Sequence, residues 1–382
     1  MTWPEATQLG GFLGGPPAPL RRNRFEILDR NMWKTLTSLN NLFAAFHQAA
    51  RGKRSKPDVA SYEMNLEDNI FSLREKLLEQ TYRHGPYHSF YIHDPKKRLI
   101  SAACIEDRVV HHALCRVIEP PIEKSFIYDS YANRIGKGTH RALDRCSQYL
   151  QRYAYYLQLD VRQYFPSIDH AILMEILSRK IRDEKVLGLC QHILQSGAGV
   201  LKEDYQMVYF PGDDLFAANR PRGLPIGNLT SQFWANVYLN GLDHRIKRQL
   251  RCPGYVRYVD DMLLFSDSKA ELRAMWSAVV KALADLRLTI HQREPQPTPS
   301  RHGVTFLGFR CFPDYRRLKR AKAVYARRRI KTDWIAVQEN EMTLESFTQC
   351  LQSWISHAGY GNTWGLRRSI LKELDLLDGE WF

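Results

Sequence analysis

Asp260 and Asp261 stand side by side in GYVRYVDDMLLFSDS, residues 254–268, between Tyr258, Val259 and the apolar run 262–265. The alternation predicts a strand, a tight turn and a second strand. Two adjacent carboxylates inside an apolar hairpin repel each other and lose hydration, which costs several kcal/mol unless something compensates. A third acid, Asp160, ends the apolar stretch YAYYLQLD at 153–160. In a sheet, an acid at the end of one strand can face the turn of a neighbouring hairpin, however distant in sequence. Three converging carboxylates become tolerable when divalent cations neutralise them. Mg²⁺ takes oxygen ligands and keeps some water, leaving positions for phosphates. Two such ions about 3.5–4 Å apart activate an attacking hydroxyl and stabilise a leaving oxygen. Singly the signals are weak, because an Asp-Asp turn is usually solvated and an acid after a strand is commonly a helix cap. Their combination and order carry the reading.

The elements that must position these acids follow from periodicity. Residues 31–50 have helical apolar spacing with Asn31 as N-cap, and 61–81 read as a second helix after the basic loop RGKRSKPD. HSFYIHDPKKRLISAACI, 88–105, reads as two short strands joined by a basic turn at 94–97, and a helix over 106–120 stops at Pro120-Pro121. Gly136-Lys137-Gly138 followed by Thr139 as N-cap opens another helix. That turn reads equally as a phosphate contact or an ordinary glycine turn, and no Walker spacing is present. The strand ending at Asp160 leads to a helix capped by Asp169. Helix 183–200, a polar hairpin or insert at 202–222, and a glycine loop feeding a long amphipathic helix at 223–250 follow. After the hairpin come helix 269–286, a strand at 287–292 and a strand pair within 303–320; the remainder is basic and helical. The sum is an α+β chain with an antiparallel sheet and a helical tail.

The chain has 382 residues, 44% hydrophobic, enough for a large core and more than one lobe. Its net charge of +14 suits a polyanionic partner. No apolar run approaches the roughly 20 residues that span a bilayer, and the start lacks the pattern of a signal peptide, so no membrane association is expected. Seven scattered cysteines without a C-x-x-C pair read as reduced thiols of a cytoplasmic protein. His111, His112 and His170 read as structural.

The ordered set resembles the reverse transcriptases, polymerases built as a right hand of fingers, palm and thumb. QLDVRQYFPSID looks like their first catalytic motif, GLPIGNLTSQ their template and nucleotide loop, YVDD their second catalytic motif and VTFLGFRC their primer-grip strand. KKRLISAACIEDRVVHHAL is similar to the fingers of bacterial members. The resemblance implies a lead-in at 1–24, fingers at 25–152, a palm at 153–320 with a fingers-like insertion at about 178–222, and a helical thumb at 321–382. It implies that Asp160 and Asp260, with the carbonyl of Val161, bind two Mg²⁺ ions (Mn²⁺ as a substitute), and that Asp261 is the third acid. A primer 3′-hydroxyl would attack and pyrophosphate would leave. Phe165 falls at the family's sugar gate, where a ring would collide with a ribose 2′-hydroxyl; without the resemblance it reads as a core Phe. Lys97 and Arg98, with Lys96 beside them, would contact triphosphate; otherwise they read as a solvated basic turn. Ile226, Gly227 and Gln232 would line the nucleotide, and Phe306, Leu307 and Gly308 would form the primer grip.

The form LPIGNLTSQ departs from the Gln-Gly and Ser-Pro of most members and looks like the enzymes of diversity-generating retroelements. SYANRIGKGTHRA, FWANVYLNGLDH and SWISHAGYGNTWGLR match the same branch. Those enzymes copy a template RNA into cDNA with errors at adenine for mutagenic retrohoming, beside a small basic accessory protein that forms a pentamer. Ile226 fits that behaviour, because losing an amide removes one hydrogen bond near the nucleotide, about 0.5–1.5 kcal/mol of discrimination. Template RNA, the cDNA/RNA duplex and dNTPs are the implied partners, in a bacterial or phage-encoded protein. An anti-phage defence enzyme working on a noncoding RNA is the alternative, and a non-catalytic RNA-binding scaffold the alternative of another class. Residues 321–382 are too few for an RNase H domain and suit a thumb. The cations of LKRAKAVYARRRIK either follow a duplex or form a solvated face. Trp334, Trp354, Trp364 and Trp381 read as thumb core or partner surface.

Overall fold

The computed structural model describes residues 31–93, 97–291 and 295–374. The expected cap Asn31 makes no side-chain cap bond; α1 (Met32–Leu36) is short, and Ser38 caps α2 (Leu39–Ala50) by accepting from the Asn41 amide at 3.3 Å. The helix expected at 61–81 is two, α3 (Pro57–Met64) and α4 (Leu66–Leu78), which meet at Asn65. β1 (His88–Ile92) and β2 (Arg98–Ala102) form the expected hairpin. α5 (Ile105–Glu123) runs through Pro120 and Pro121 instead of stopping there. Both prolines lie in its last turn; each lacks the N–H that would donate four residues back, to the Arg116 and Val117 carbonyls, and the helix ends two residues beyond Pro121.

Gly138, not Thr139, caps α6 (Thr139–Arg152), because φ is +98° there and only glycine enters that conformation freely. Thr139 begins the helix, and its hydroxyl meets that of Tyr258 at 3.2 Å. Lys137 is held locally: its amine lies 3.2 Å from the centre of the Tyr128 ring and donates to the Tyr128 carbonyl. These contacts favour the ordinary glycine turn.

β3 (Tyr155–Asp160) leads through the single turn α7 (Tyr164–Ser167) into α8 (His170–Ser178), capped by Asp169 as expected. After α9 (Glu184–Ser196) the segment 202–222 is not a hairpin; it is irregular, with one 3₁₀ turn at Leu215–Asn219. α10 (Leu229–His244) is buried around most of its circumference rather than amphipathic. Two of its buried side-chain amides find partners, Asn236 donating to the Ala132 carbonyl and Asn240 to the Ser125 hydroxyl.

β4 (Gly254–Tyr258) and β5 (Asp261–Ser266) form the expected hairpin, followed by α11 (Lys269–Asp285). The strand expected at 287–292 is a single bridge, Val161 to Ile290, with residue 292 outside the described residues. Arg287, at φ +54°, lies outside the extended region, and the pairing is confined to 289–291. With β6 (Thr298–Pro299) these strands form an antiparallel sheet of order β4-β5-β3-β6. β7 (Val304–Phe306), β8 (Phe309–Cys311) and β9 (Arg316–Leu318) form a separate antiparallel sheet, and α12 (Arg320–Gln338), α13 (Leu344–Ala358) and α14 (Trp364–Lys372) close the chain. The mixed antiparallel architecture is the α+β right-hand fold expected.

Three apolar cores result. The largest joins α2, α5 and α10 to one face of the central sheet. A second lies between that sheet, α6 and the β7–β8 hairpin. The third is internal to the last three helices and includes Trp334 and Trp354 at its edge, while Trp364 is exposed. Trp381 and the lead-in 1–24 lie outside the described residues. The seven cysteines are free. Among the described residues no helix is long and apolar enough to cross a membrane.

Candidate active site

Register brings the acids together. β3 pairs antiparallel with β5 so that Asp160 lies opposite Asp261, and Tyr258 lies opposite Asp261 across the hairpin. Val259 and Asp260 therefore form a two-residue turn at the end of β3. Asp160 is exposed, and Asp260 and Asp261 are half-buried. Burial first, and then repulsion from Asp160, raise Asp260 to about 6; a backbone hydrogen bond and the cations of Arg98 and Arg257 oppose the rise. Burial, together with Asp160 and Asp260, raises Asp261 to about 7, against the Gln158 amide that donates to its Oδ1 at 3.1 Å. The same amide donates to the Thr305 carbonyl at 3.2 Å, tying the acid to the β7 strand.

Asp160 is fixed through its backbone. His291 donates to the Asp160 carbonyl at 2.9 Å, and Arg162 to the Thr289 carbonyl at 2.7 Å. These bonds flank Val161, whose carbonyl belongs to neither. Among the described residues no three His, Cys, Asp or Glu side chains make a ready metal cluster. The donor set at the strand ends is nevertheless all oxygen, and two of its members resist ionisation through burial and mutual repulsion. A hard divalent cation is the group that such a set accommodates.

The turn is strained. Val259 has φ +56°, unusual for any β-branched residue and costing about 1–3 kcal/mol. Its carbonyl accepts from Arg257 Nη1 at 2.9 Å. Arg257 is fully buried, and its Nε and Nη2 grip Asp243 of α10 at 2.8 and 2.6 Å. Asn236 and Ser130 take its remaining hydrogens, and the Tyr255 hydroxyl completes Asp243. Neither Arg257 nor Asp243 stood out as a site residue in the sequence. The available signal was a charge interrupting an otherwise apolar strand and another interrupting an apolar helix.

The expected nucleotide-binding residues converge from two directions. β2 brings Arg98 close enough to Asp260 to oppose its rise. Lys97 lies instead 4.0 Å from the centre of the Tyr91 ring, and Lys96 is outside the described residues. The loop 223–228 packs on β2: Ser101 donates to the Ile226 carbonyl at 2.8 Å, and a Cβ on Gly227, at φ +115°, would meet Ile100 at 3.0 Å. Phe165 is half-buried beside that loop, its carbonyl accepting from the Leu224 amide at 3.0 Å. Gln232 is exposed one turn into α10. Asn228, not singled out in the sequence, is the stitch. Its Nδ2 donates to the Ser101 and Pro225 carbonyls at 2.8 and 3.2 Å, and its Oδ1 accepts from Ala103 at 3.2 Å.

Phe306, Leu307 and Gly308 make a tight β7–β8 turn with Phe306 opposite Phe309. Leu307 and Gly308 both have positive φ, 48° and 90°, as a two-residue hairpin of this hand requires. Burial holds His111 down to about 3, and His170 contacts the Gly223 carbonyl at 2.8 Å.

Known proteins share parts of this chain. A family model described as reverse transcriptase (RNA-dependent DNA polymerase) matches residues 92–311. The COX1/OXI3 intron 2 protein of Saccharomyces cerevisiae is 21% identical over 235 residues, 59% of this chain and 26% of that protein. The group II intron-encoded protein LtrA of Lactococcus lactis is 26% identical over 181 residues, 46% of this chain and 28% of that one. The chain thus spans about a quarter of the length of these relatives. Among solved structures, apo telomerase from Candida tropicalis superposes with a TM-score of 0.46 at 11% identity, covering 62% of this chain and 49% of that one.

Proposed function

This chain belongs to the reverse transcriptase family, and from that premise we propose that it extends a primer 3′-hydroxyl with dNTPs on an RNA template. The observation that carries the reading is the Asp160–Asp261 register, which sets three acids at one strand end beside Arg98. In this reading Asp160 and Asp260, with the Val161 carbonyl, hold Mg²⁺, and Asp261 is the third acid. When bound, the cation supplies charge neutralisation and activation of the hydroxyl. The protein contributes positioning. Arg98 meets the triphosphate, the Phe165 ring and the 226–227 backbone bound the sugar and base, and the 306–308 turn supports the primer end. The test is extension of a primed RNA template by the purified chain with and without Mg²⁺. Extension dependent on Mg²⁺ and dNTPs is expected; its absence with every supplied template and primer would overturn the reading.

Within the family, the I-G-x-x-x-S-Q loop supports an error-prone retroelement enzyme that works with a small basic accessory protein. Sequencing the cDNA tests this. Errors concentrated at template adenines are expected, and evenly distributed errors favour a defence enzyme copying its own noncoding RNA.

The stitch at Asn228 predicts a graded effect. Asn228→Ala leaves buried groups at 101, 103 and 225 without their partner, worth about 1–3 kcal/mol. The loop then loosens from β2, and KM for dNTP rises roughly tenfold while kcat changes little. A dNTP titration at saturating primer–template measures it. An unchanged KM would show that the stitch does not shape the nucleotide site.

A further inference from the structure

The segment SWISHAGYGNTWGLR, 353–367, has no role in the site described above, yet it makes specific contacts with the body of the protein. The Tyr360 ring lies on His140 of α6, centroids 3.3 Å apart and planes 10° from parallel. The Asn362 amide donates to the Arg316 carbonyl at 2.7 Å, and its Oδ1 accepts from the Arg316 amide at 3.1 Å. Asn362 thus pairs with the first residue of β9 in both directions. Gly361 fits between them: a Cβ there would meet the Arg316 carbonyl at 3.1 Å and the Phe309 ring at 3.2 Å. His357 packs on the same Phe309 ring at 5.1 Å. Thr363 ties the turn to the end of α13 through the Ala358 carbonyl.

These contacts matter because of where the apolar cores end. The core of the last three helices shares no residue with the core beneath the β7–β8 hairpin. The chain junction at 316–319 and this turn are therefore among the contacts that set the attitude of those helices. At the junction Lys319 donates to the Gly308 carbonyl at 3.0 Å, and the Arg316 guanidinium reaches Asp144 of α6 at 2.6 Å. Phe309 directly follows Leu307-Gly308. A change in the 357–363 turn is felt one residue from the proposed primer grip and at the root of α12, which carries Arg320, Lys322, Arg327, Arg328, Arg329 and Lys331.

We propose that residues 357–363 are a latch that sets the basic α12 at a fixed distance from the 306–308 turn, with Tyr360 and Asn362 as positioning residues for the primer–template duplex. The inference rests on the polymerase reading. It predicts retention of the duplex between additions, not the chemistry of one addition.

The experiment compares Tyr360→Ala, Tyr360→Phe, Asn362→Ala and Asn362→Asp in the full chain. Loss of the ring stack or of the Oδ1 acceptor shortens products made per binding event and raises KM for a primed RNA template, about two- to tenfold. The rate of the first single-nucleotide addition at saturating duplex stays within about twofold of wild type. Tyr360→Phe keeps the ring and Asn362→Asp keeps the acceptor, so both restore product length. The latch is overturned if the alanine variants match wild type in both measures, if first addition falls as much as product length, or if the conservative variants fail to rescue. Duplex binding by fluorescence anisotropy reads the latch independently. Should the wild type bind duplex without extending it, the polymerase reading fails while a weaker-binding Tyr360→Ala still supports the latch.

Discussion

Asp260→Asn abolishes nucleotide addition while raising the melting temperature of the metal-free protein. The two effects have one cause. Asp260 rises to about 6 because it is buried and faces Asp160, so above that pH the folded chain ionises it against repulsion. The sign follows from linkage. An acid whose folded value is raised subtracts from stability as pH climbs from its unfolded value near 4, and the loss is complete above the folded value. Asparagine keeps the shape and removes the charge. At pH 8 and without divalent metal the gain is about 1–2 kcal/mol, or about 1–3 °C, since a chain of this length moves about 1–1.5 °C per kcal/mol. Extension falls on the order of 10³-fold, because the charge that holds the reacting phosphate's counter-ion is gone. Millimolar Mg²⁺ raises the wild-type melting temperature by mass action and leaves Asp260→Asn unmoved. Retained extension would remove Asp260 from the site. An unchanged melting temperature would mean that the acids do not strain one another.

The acids were legible because their setting is local. A carboxylate pair inside Tyr258–Phe265 and an acid ending Leu157–Asp160 break an apolar alternation that one window contains. What set them facing each other was not local. The pairing of Asp160 with Asp261 is a register between strands a hundred residues apart, and nothing in either strand alone chooses it. The same limit explains α10. The sequence reads as an amphipathic helix, but its Thr, Ser and Asn residues are buried, and Asn236 and Asn240 bond to Ala132 and Ser125 in other segments. The strand expected at 287–292 shortens to one bridge at Ile290, opposite Val161, a pairing that lies far away in sequence. Pro120-Pro121 ends α5 within the turn that holds the two prolines, at Glu123, rather than before it. Lys97 and Arg98 are adjacent in sequence, yet one stacks on Tyr91 and the other faces Asp260. Lys97 precedes β2, which begins at Arg98, and only the three-dimensional hairpin shows which neighbour counts.

Arg257 is where position and stability can be pulled apart. Arg257→Met leaves Asp243 fully buried with only the Tyr255 hydroxyl, and a broken buried pair costs about 3–5 kcal/mol. The expected fall in melting temperature is roughly 4–6 °C for a chain of this length, with activity lost alongside it. That result alone would say only that the protein is damaged. Arg257→Met with Asp243→Leu removes both charges, and replacing a buried ion pair by apolar groups is often neutral or stabilising. The melting temperature therefore recovers most of its loss. Activity does not, because the Val259 carbonyl still lacks the Nη1 donor that holds it in a left-handed turn. Val259 then relaxes toward an ordinary strand conformation, and Asp260 and Asp261 turn with it. The double variant should show kcat reduced on the order of 10²-fold with KM for primer–template unchanged, since no duplex contact has moved. Full recovery of kcat in the double variant would reduce Arg257 to a core residue. Recovered stability with depressed kcat assigns it to aiming the acids, the role that its bond to the turn gives it.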